Sequence, residues 1–285
     1  VFCSVVLPFV NQIHNMKTFF ALVFVHVCGL KRGETPIRWK RVCGTFPTTL
    51  QKETRTCAVV SGSPVLLNAS HGREIDAADT VIRFNLHPTE GFEADVGERE
   101  SVRVVNEKVM RWWLNDEHLN GFYPESTYWL SCTLCGAGSL HSMDQAGFSR
   151  LARDLTAKFP GTRFFNLEET GVQSKAVDLL HSFYGDFKMR AGLTTGAVGI
   201  FAALPVCSEV FLYGFSASTS RNASDYTEYF STLPAGGRDG GDHLVHHGSF
   251  LFETDFWRRL AVTPHQDIDR TNVAMIPGTS MCKVM

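Results

Sequence analysis

The sequence has no surplus of charge of either sign. Its 285 residues carry 27 Lys and Arg against 29 Asp and Glu, a formal net charge of −2. That balance gives no general field for a polyanion, so nucleic acid is not an expected partner, and only a local basic pocket would attract phosphate. Internal repeats and low-complexity tracts are missing too. No apolar run reaches the roughly 20 residues that cross a bilayer as a helix, which excludes a multi-span membrane protein. Cysteine is sparse: eight residues are too few for a disulfide miniprotein and too scattered for a structural zinc site of the paired CxxC type. What is present is a globular composition, 44% hydrophobic and 20% charged, with material for a sizeable core. The length fits one large domain or two small ones at roughly 150 residues each.

The first thirty residues read differently from the rest. Val1 to Val10 is almost wholly apolar, Asn11 to Lys17 is polar, and Thr18 to Leu30 is apolar again. Preceded by Met16 and Lys17, the second run resembles the h-region of a signal peptide or signal anchor. Residues 31–50, with Lys31, Arg32, Arg38, Lys40 and Arg41, read as a stem or linker, and 51–285 as the catalytic or binding domain. Sequons at Asn68 and Asn222 fit a lumenal chain. Together these favour the secretory pathway, where disulfides persist.

From Thr56 onward, short β-branched runs alternate with helical patterns. Cys57–Val60, Thr80–Phe84, Val102–Val105, Thr127–Leu130 and Val210–Tyr213 read as buried strands. Helical spacing covers Glu107–Leu119, Asp144–Phe159, Val172–Phe183 and Ala197–Cys207. The expected class is α/β: a Rossmann-like, mostly parallel sheet with helices on both faces, binding ligand at the C-terminal strand ends. Residues 231–248, rich in Gly and His, read as a mobile loop.

Several short motifs do not carry chemistry. Gly136-Ala137-Gly138 opens like a dinucleotide fingerprint, but His141 stands where close helix–strand packing needs the third glycine. Gly214-Phe215-Ser216-Ala217-Ser218 imitates a nucleophile elbow but ends in serine and runs into loop residues. Asp267-Ile268-Asp269 reads as a solvated turn near the terminus. Cys132 and Cys135 leave a local disulfide, a redox pair, core packing and separate bridges all open.

The run from Thr56 to Asn106, TCAVVSGSPVLLNASHGREIDAADTVIRFNLHPTEGFEADVGERESVRVVN, is far more specific. It resembles the large sialylmotif of animal-type sialyltransferases, whose pattern runs CAVVxxxGxL, G[KR]EID, then DxVxRxNxAPTxGFxxDVGxxT. A second run, Leu193-Thr194-Thr195-Gly196 through Cys207 to Phe215, resembles the small sialylmotif. The resemblance implies a GT-A-like sialyltransferase fold and the transfer of sialic acid, with inversion, from a CMP-sugar to a glycan hydroxyl. CMP-Kdo as donor, or a catalytically degenerate glycan- or nucleotide-binding relative, are the alternatives. The implied partners are the CMP-sugar donor, a glycoprotein or glycolipid acceptor and, through the N-terminal anchor, the Golgi membrane in a single-pass type II arrangement, or else secretion. No cofactor and no metal are expected, because the donor has a single phosphate and no ligand spacing for a metal appears.

The resemblance also assigns residues. Ser61, Gly62, Ser63, Asn85, Thr194, Thr195, Gly196 and Tyr226 are expected at the donor. Cys57 and Cys207 are expected as a disulfide pinning the first strand to a helix beneath it, while Glu74, Asp76 and Asp79 are expected to make polar contacts at helix and strand ends. The catalytic base is expected at His247, with His246 the next candidate (then His243) and Glu253 in support. Four departures accompany these matches. Gly62 stands where many members carry a nucleotide-contacting Asn, Pro64 replaces a loop glycine, Asp225 replaces the leading His of the third motif, and His247 lies one residue too far from Glu253 for the fourth.

Overall fold

A computed structural model describes residues 35–46, 54–133, 135, 143–185, 192–215, 228–230, 250–279 and 282. All belong to one compact unit. Among the described residues there are seven strands: β1 (Thr54–Val60), β2 (Thr80–Phe84), β3 (Val102–Asn106), β4 (Thr127–Ser131), β5 (Arg163–Asn166), β6 (Cys207–Tyr213) and β7 (Val273–Pro277). They form one sheet in the order β5-β4-β3-β2-β1-β6-β7. Every pairing is parallel except β6 with β7. The chain steps outward from β1 to β5, then returns to lay β6 on the other side of β1. The switch point of this doubly wound sheet therefore lies between β1 and β6, which is where such sheets bind ligands.

Alternation along β1 explains why both faces are covered. Ala58 and Val60 pack with Leu66, Ile75 and Tyr213 on one side. Cys57 and Val59 enter the large core on the other. That core gathers α6 (Val172–Tyr184), α7 (Thr195–Ala203) and α8 (Phe250–Leu260). The opposite face carries α2 (Gly72–Asp76), α4 (Glu107–Leu114) and α5 (Gln145–Lys158), with Trp113, Tyr128 and Phe148 buried among them. Two further short helices are α3 (Glu93–Val96) and α9 (His265–Thr271). Helix α7 lies close against the sheet because Gly199 has no side chain: a Cβ there would stand 2.5 Å from the Phe84 ring.

The structure moves three boundaries. Helix α7 starts two residues early, with Thr194 as its cap, and ends at Ala203 before Pro205, so Cys207 opens β6 instead of closing a helix. Helix α4 stops at Leu114, five residues short of the expected end. The folded unit also reaches upstream of residue 51. Helix α1 (Thr35–Thr45) buries Trp39 and Val42 in the large core, and Cys43 is bonded to Cys282. Strands β5 and β7 escape the sequence reading; both lie at the edges of the sheet.

Candidate functional site

The C-terminal ends of β1, β2, β3 and β6 and the start of α7 meet at one edge of the sheet. At the end of β1, Ser61 donates its N–H to the carbonyl of Tyr213 at 3.0 Å, joining the two strands at the switch point. The loop that follows is internally bonded. Ser61 Oγ accepts the N–H of Ser63 (3.1 Å), and Ser63 Oγ accepts the N–H of Val65. Gly62 lies between them, its carbonyl accepting the N–H of Tyr229 at 2.7 Å.

Asn85 follows β2 in the left-handed conformation, φ 44°, a region that asparagine tolerates better than most residues. Its side-chain oxygen accepts the N–H of Asn106 at 3.1 Å. Asn106 ends β3, caps α4 through Oδ1, and directs Nδ2 toward Thr195 Oγ1 at 3.5 Å. Asn85, Asn106 and Thr195 thus form a polar line across two strands and a helix. Asn106 was not among the expected site residues. Its signal was the one that picked Asn85, an asparagine just past a buried strand.

Two buried arginines brace this edge from beneath. Arg83 and Arg103 are register partners on β2 and β3. Arg103, ion-paired with Glu100, donates to the carbonyls of Asn85 (2.6 Å) and His87 (3.3 Å) and so fixes the loop after β2. Arg83 donates to the carbonyls of Val96 and Arg99, and burial pulls its guanidinium down to about 10. The acids nearby make structural contacts, as expected. Asp76 accepts the N–H groups of Glu98 and Arg99, and Asp79 accepts both the backbone N–H and the hydroxyl O–H of Thr56. Glu74 faces His71 at 3.4 Å.

Thr194 caps α7 by accepting the N–H of Ala197, and both its own N–H and its hydroxyl are held by Glu253. Gly196 sits under Phe215, whose ring would be 2.6 Å from a Cβ at that position. Cys57 and Cys207 are bonded, and the bridge ties β1 to the first residue of β6 instead of to the helix expected beneath. Cys132 and Cys135 form a local disulfide at the end of β4. Asp267 and Asp269 pair with Arg270 and Arg258, the ordinary use of exposed acids on a helix. No group of three metal-ligating side chains occurs among the described residues. His243, His246, His247, Asp225, Tyr226, Asn222, residues 136–142 and residues 216–220 lie outside the described residues, as do residues 1–30. Among the described residues no helix is long and apolar enough to cross a membrane. Asn68 is exposed, which leaves its sequon accessible.

Residues 40–263 match glycosyltransferase family 29 (sialyltransferase). The chain belongs to that family. Beta-galactoside alpha-2,6-sialyltransferase 2 of Rattus norvegicus is 48% identical over 248 residues, which cover 81% of this chain and 43% of that protein. The Homo sapiens protein of the same description is 39% identical over 261 residues, 84% of this chain and 45% of that one. The chain thus spans less than half the length of these relatives. A solved mammalian sialyltransferase in complex with Gal-beta-1-3GalNAc-ortho-nitrophenol is similar at 19% identity and a TM-score of 0.47, covering 85% of this chain and 79% of that one.

Proposed function

We propose that this family 29 chain is a sialyltransferase that moves sialic acid from CMP-sialic acid to a glycan hydroxyl with inversion, in the Golgi lumen. Residues 1–30 would anchor or target it. The observation that carries the reading is the line Asn85–Asn106–Thr195 beside the Ser61–Ser63 loop, set at the switch point of the sheet in a chain of this family. The two serine hydroxyls each accept an N–H of their own loop and keep a hydrogen to donate to a nucleotide. Glu253 meets the positive end of α7, which leaves the amides of Asn85 and Asn106 and the Thr195 hydroxyl to meet the donor's polar groups.

In the transfer, an acceptor oxygen attacks the anomeric carbon, the bond to the CMP phosphate breaks with its electron pair on phosphate, and a base takes the hydroxyl proton. Histidine suits that task near neutral pH, and His247 is the residue assigned to it. The experiment is CMP release from CMP-sialic acid and from CMP-Kdo with a desialylated glycoprotein acceptor. Release with CMP-sialic acid alone is expected; release with CMP-Kdo alone changes the donor. CMP binding in calorimetry without release from either donor would make the chain a non-catalytic relative.

A further inference from the structure

Gly62 and His87 occupy each other's space. A Cβ added at Gly62 would stand 2.6 Å from Cε1 and 2.9 Å from Nε2 of the His87 ring, so the imidazole can lie at the end of β1 only because residue 62 is glycine. The ring is placed from every side. Arg103 holds the His87 carbonyl, Phe230 and Tyr229 pack on the ring at 5.3 and 6.3 Å, and a Glu228 oxygen lies 3.4 Å from Nε2. Its Nδ1 is buried and has no hydrogen-bond partner among the described residues. A buried polar atom without a partner in a ligand-binding crevice calls for one. Neither the catalytic proposal nor any disulfide or cap uses this side chain.

Resting on the donor-site reading above, we infer that His87 is a donor-binding residue that contacts the nucleoside of the CMP-sugar from the loop after β2. The Glu228 carboxylate beside Nε2 favours the proton on that nitrogen, which leaves Nδ1 as an acceptor. The matching ligand group is a hydrogen-bond donor of the nucleoside, a ribose hydroxyl or the cytosine amino group. The nucleoside reaches it by parting the ring from the wall made by residues 228–230.

The test is calorimetric binding of CMP, its 2′- and 3′-deoxy analogues and UMP to the full chain and to His87→Phe, which keeps a ring against Tyr229 and Phe230 but has no nitrogen. The variant should bind CMP about tenfold more weakly and lose the wild-type preference over one analogue. Loss of preference over a deoxy analogue identifies the ribose, and over UMP the amino group. His87→Leu, which fills the same space without a nitrogen, should weaken CMP binding similarly, and it decides the matter if His87→Phe fails to fold. Wild-type CMP binding that either folded variant retains within twofold overturns the role of His87 alone. Failure of the wild-type chain to bind CMP overturns this role together with the donor-site reading.

Discussion

Glu253 accepts two hydrogen bonds from a single residue, the N–H of Thr194 at 3.0 Å and its hydroxyl at 2.7 Å, while itself only 4% exposed. A carboxylate on α8 therefore fixes where α7 begins. Glu253→Ala should destabilise the chain by about 2–3 kcal/mol, since it strips a buried cap of its acceptor. Thr194→Val should lose less, and the double variant should fall short of the sum by about 1 kcal/mol or more. Urea unfolding of the four proteins measures this; strict additivity would mean that the contact does no coupling.

Arg103 and Glu100 form a buried pair with few alternatives to each other. Arg103→Ala leaves Glu100 with the Ser126 hydroxyl as its side-chain donor among the described residues and frees the carbonyls of Asn85 and His87. A loss of about 3–5 kcal/mol is expected. Lysine in its place should recover part, because an ammonium offers no planar fork. Replacing both partners by Met and Leu should cost less than Arg103→Ala; an equal or greater loss would contradict a desolvation origin.

The Cys57–Cys207 bridge closes a separation of 150 residues. Loop-closure entropy assigns such a link about 4–5 kcal/mol. Non-reducing peptide maps should recover these peptides joined, along with Cys43–Cys282 and Cys132–Cys135. The Cys57→Ala, Cys207→Ala double variant should melt well below the wild type, and free thiols at both positions in the native protein would overturn the assignment.

His71 gives stability a pH dependence. The Glu74 carboxylate raises its imidazole above the usual value, and the imidazole in turn holds Glu74 below the usual carboxylate range. The imidazole's contribution is full below its unfolded value of about 6.5 and is lost as pH rises through the raised one. The carboxylate's contribution is full above about 4.3 and is lost as pH falls through the depressed value. Because Glu74 is more than half exposed, screening limits the pair to about 0.5–1 kcal/mol. His71→Gln should therefore lower the melting temperature by about 1–4 °C at pH 5–6 and by less at pH 8. A deficit that grows with pH would reverse the sign and sink the argument.

For catalysis, His247→Ala should reduce transfer by about 10²–10⁴-fold with little change in CMP affinity, the usual effect of removing a general base. His246→Ala should matter much less. Reversed effects would move the base to His246, and full activity in both variants would remove it from this segment.

Five strands and the parallel sheet were legible because buried central strands are continuous apolar runs bounded by polar turns. Edge strand β5 was not, since none of its four residues is buried and it is as short as a turn, and in β7 the alanine and proline weaken the strand signal. Ser61, Asn85 and Thr195 could be placed from their positions after strands and at a helix start. The commitment of Thr194 to Glu253 could not, because a threonine that caps a helix and one that meets a ligand leave the same mark in sequence. Nor could the contact of His87 with Gly62, which depends on two loops 25 residues apart meeting in space. Tyr229 is a similar case. Burial pushes its phenol up to about 12, and its hydroxyl donates to the Pro88 carbonyl, a partner 141 residues away.

The central position of β1 has a consequence for synthesis. Until residues 207–213 leave the ribosome, β1 has a partner on one side only, and its other edge is an open row of backbone donors and acceptors. Cys43 and Cys57 emerge long before Cys282 and Cys207, the thiols they join in the finished molecule. For most of translation the nearest thiol available to each is the other. The finished pairing therefore requires that Cys43 and Cys57 not stay joined to each other, and thiolate exchange is the chemistry that would undo such a link.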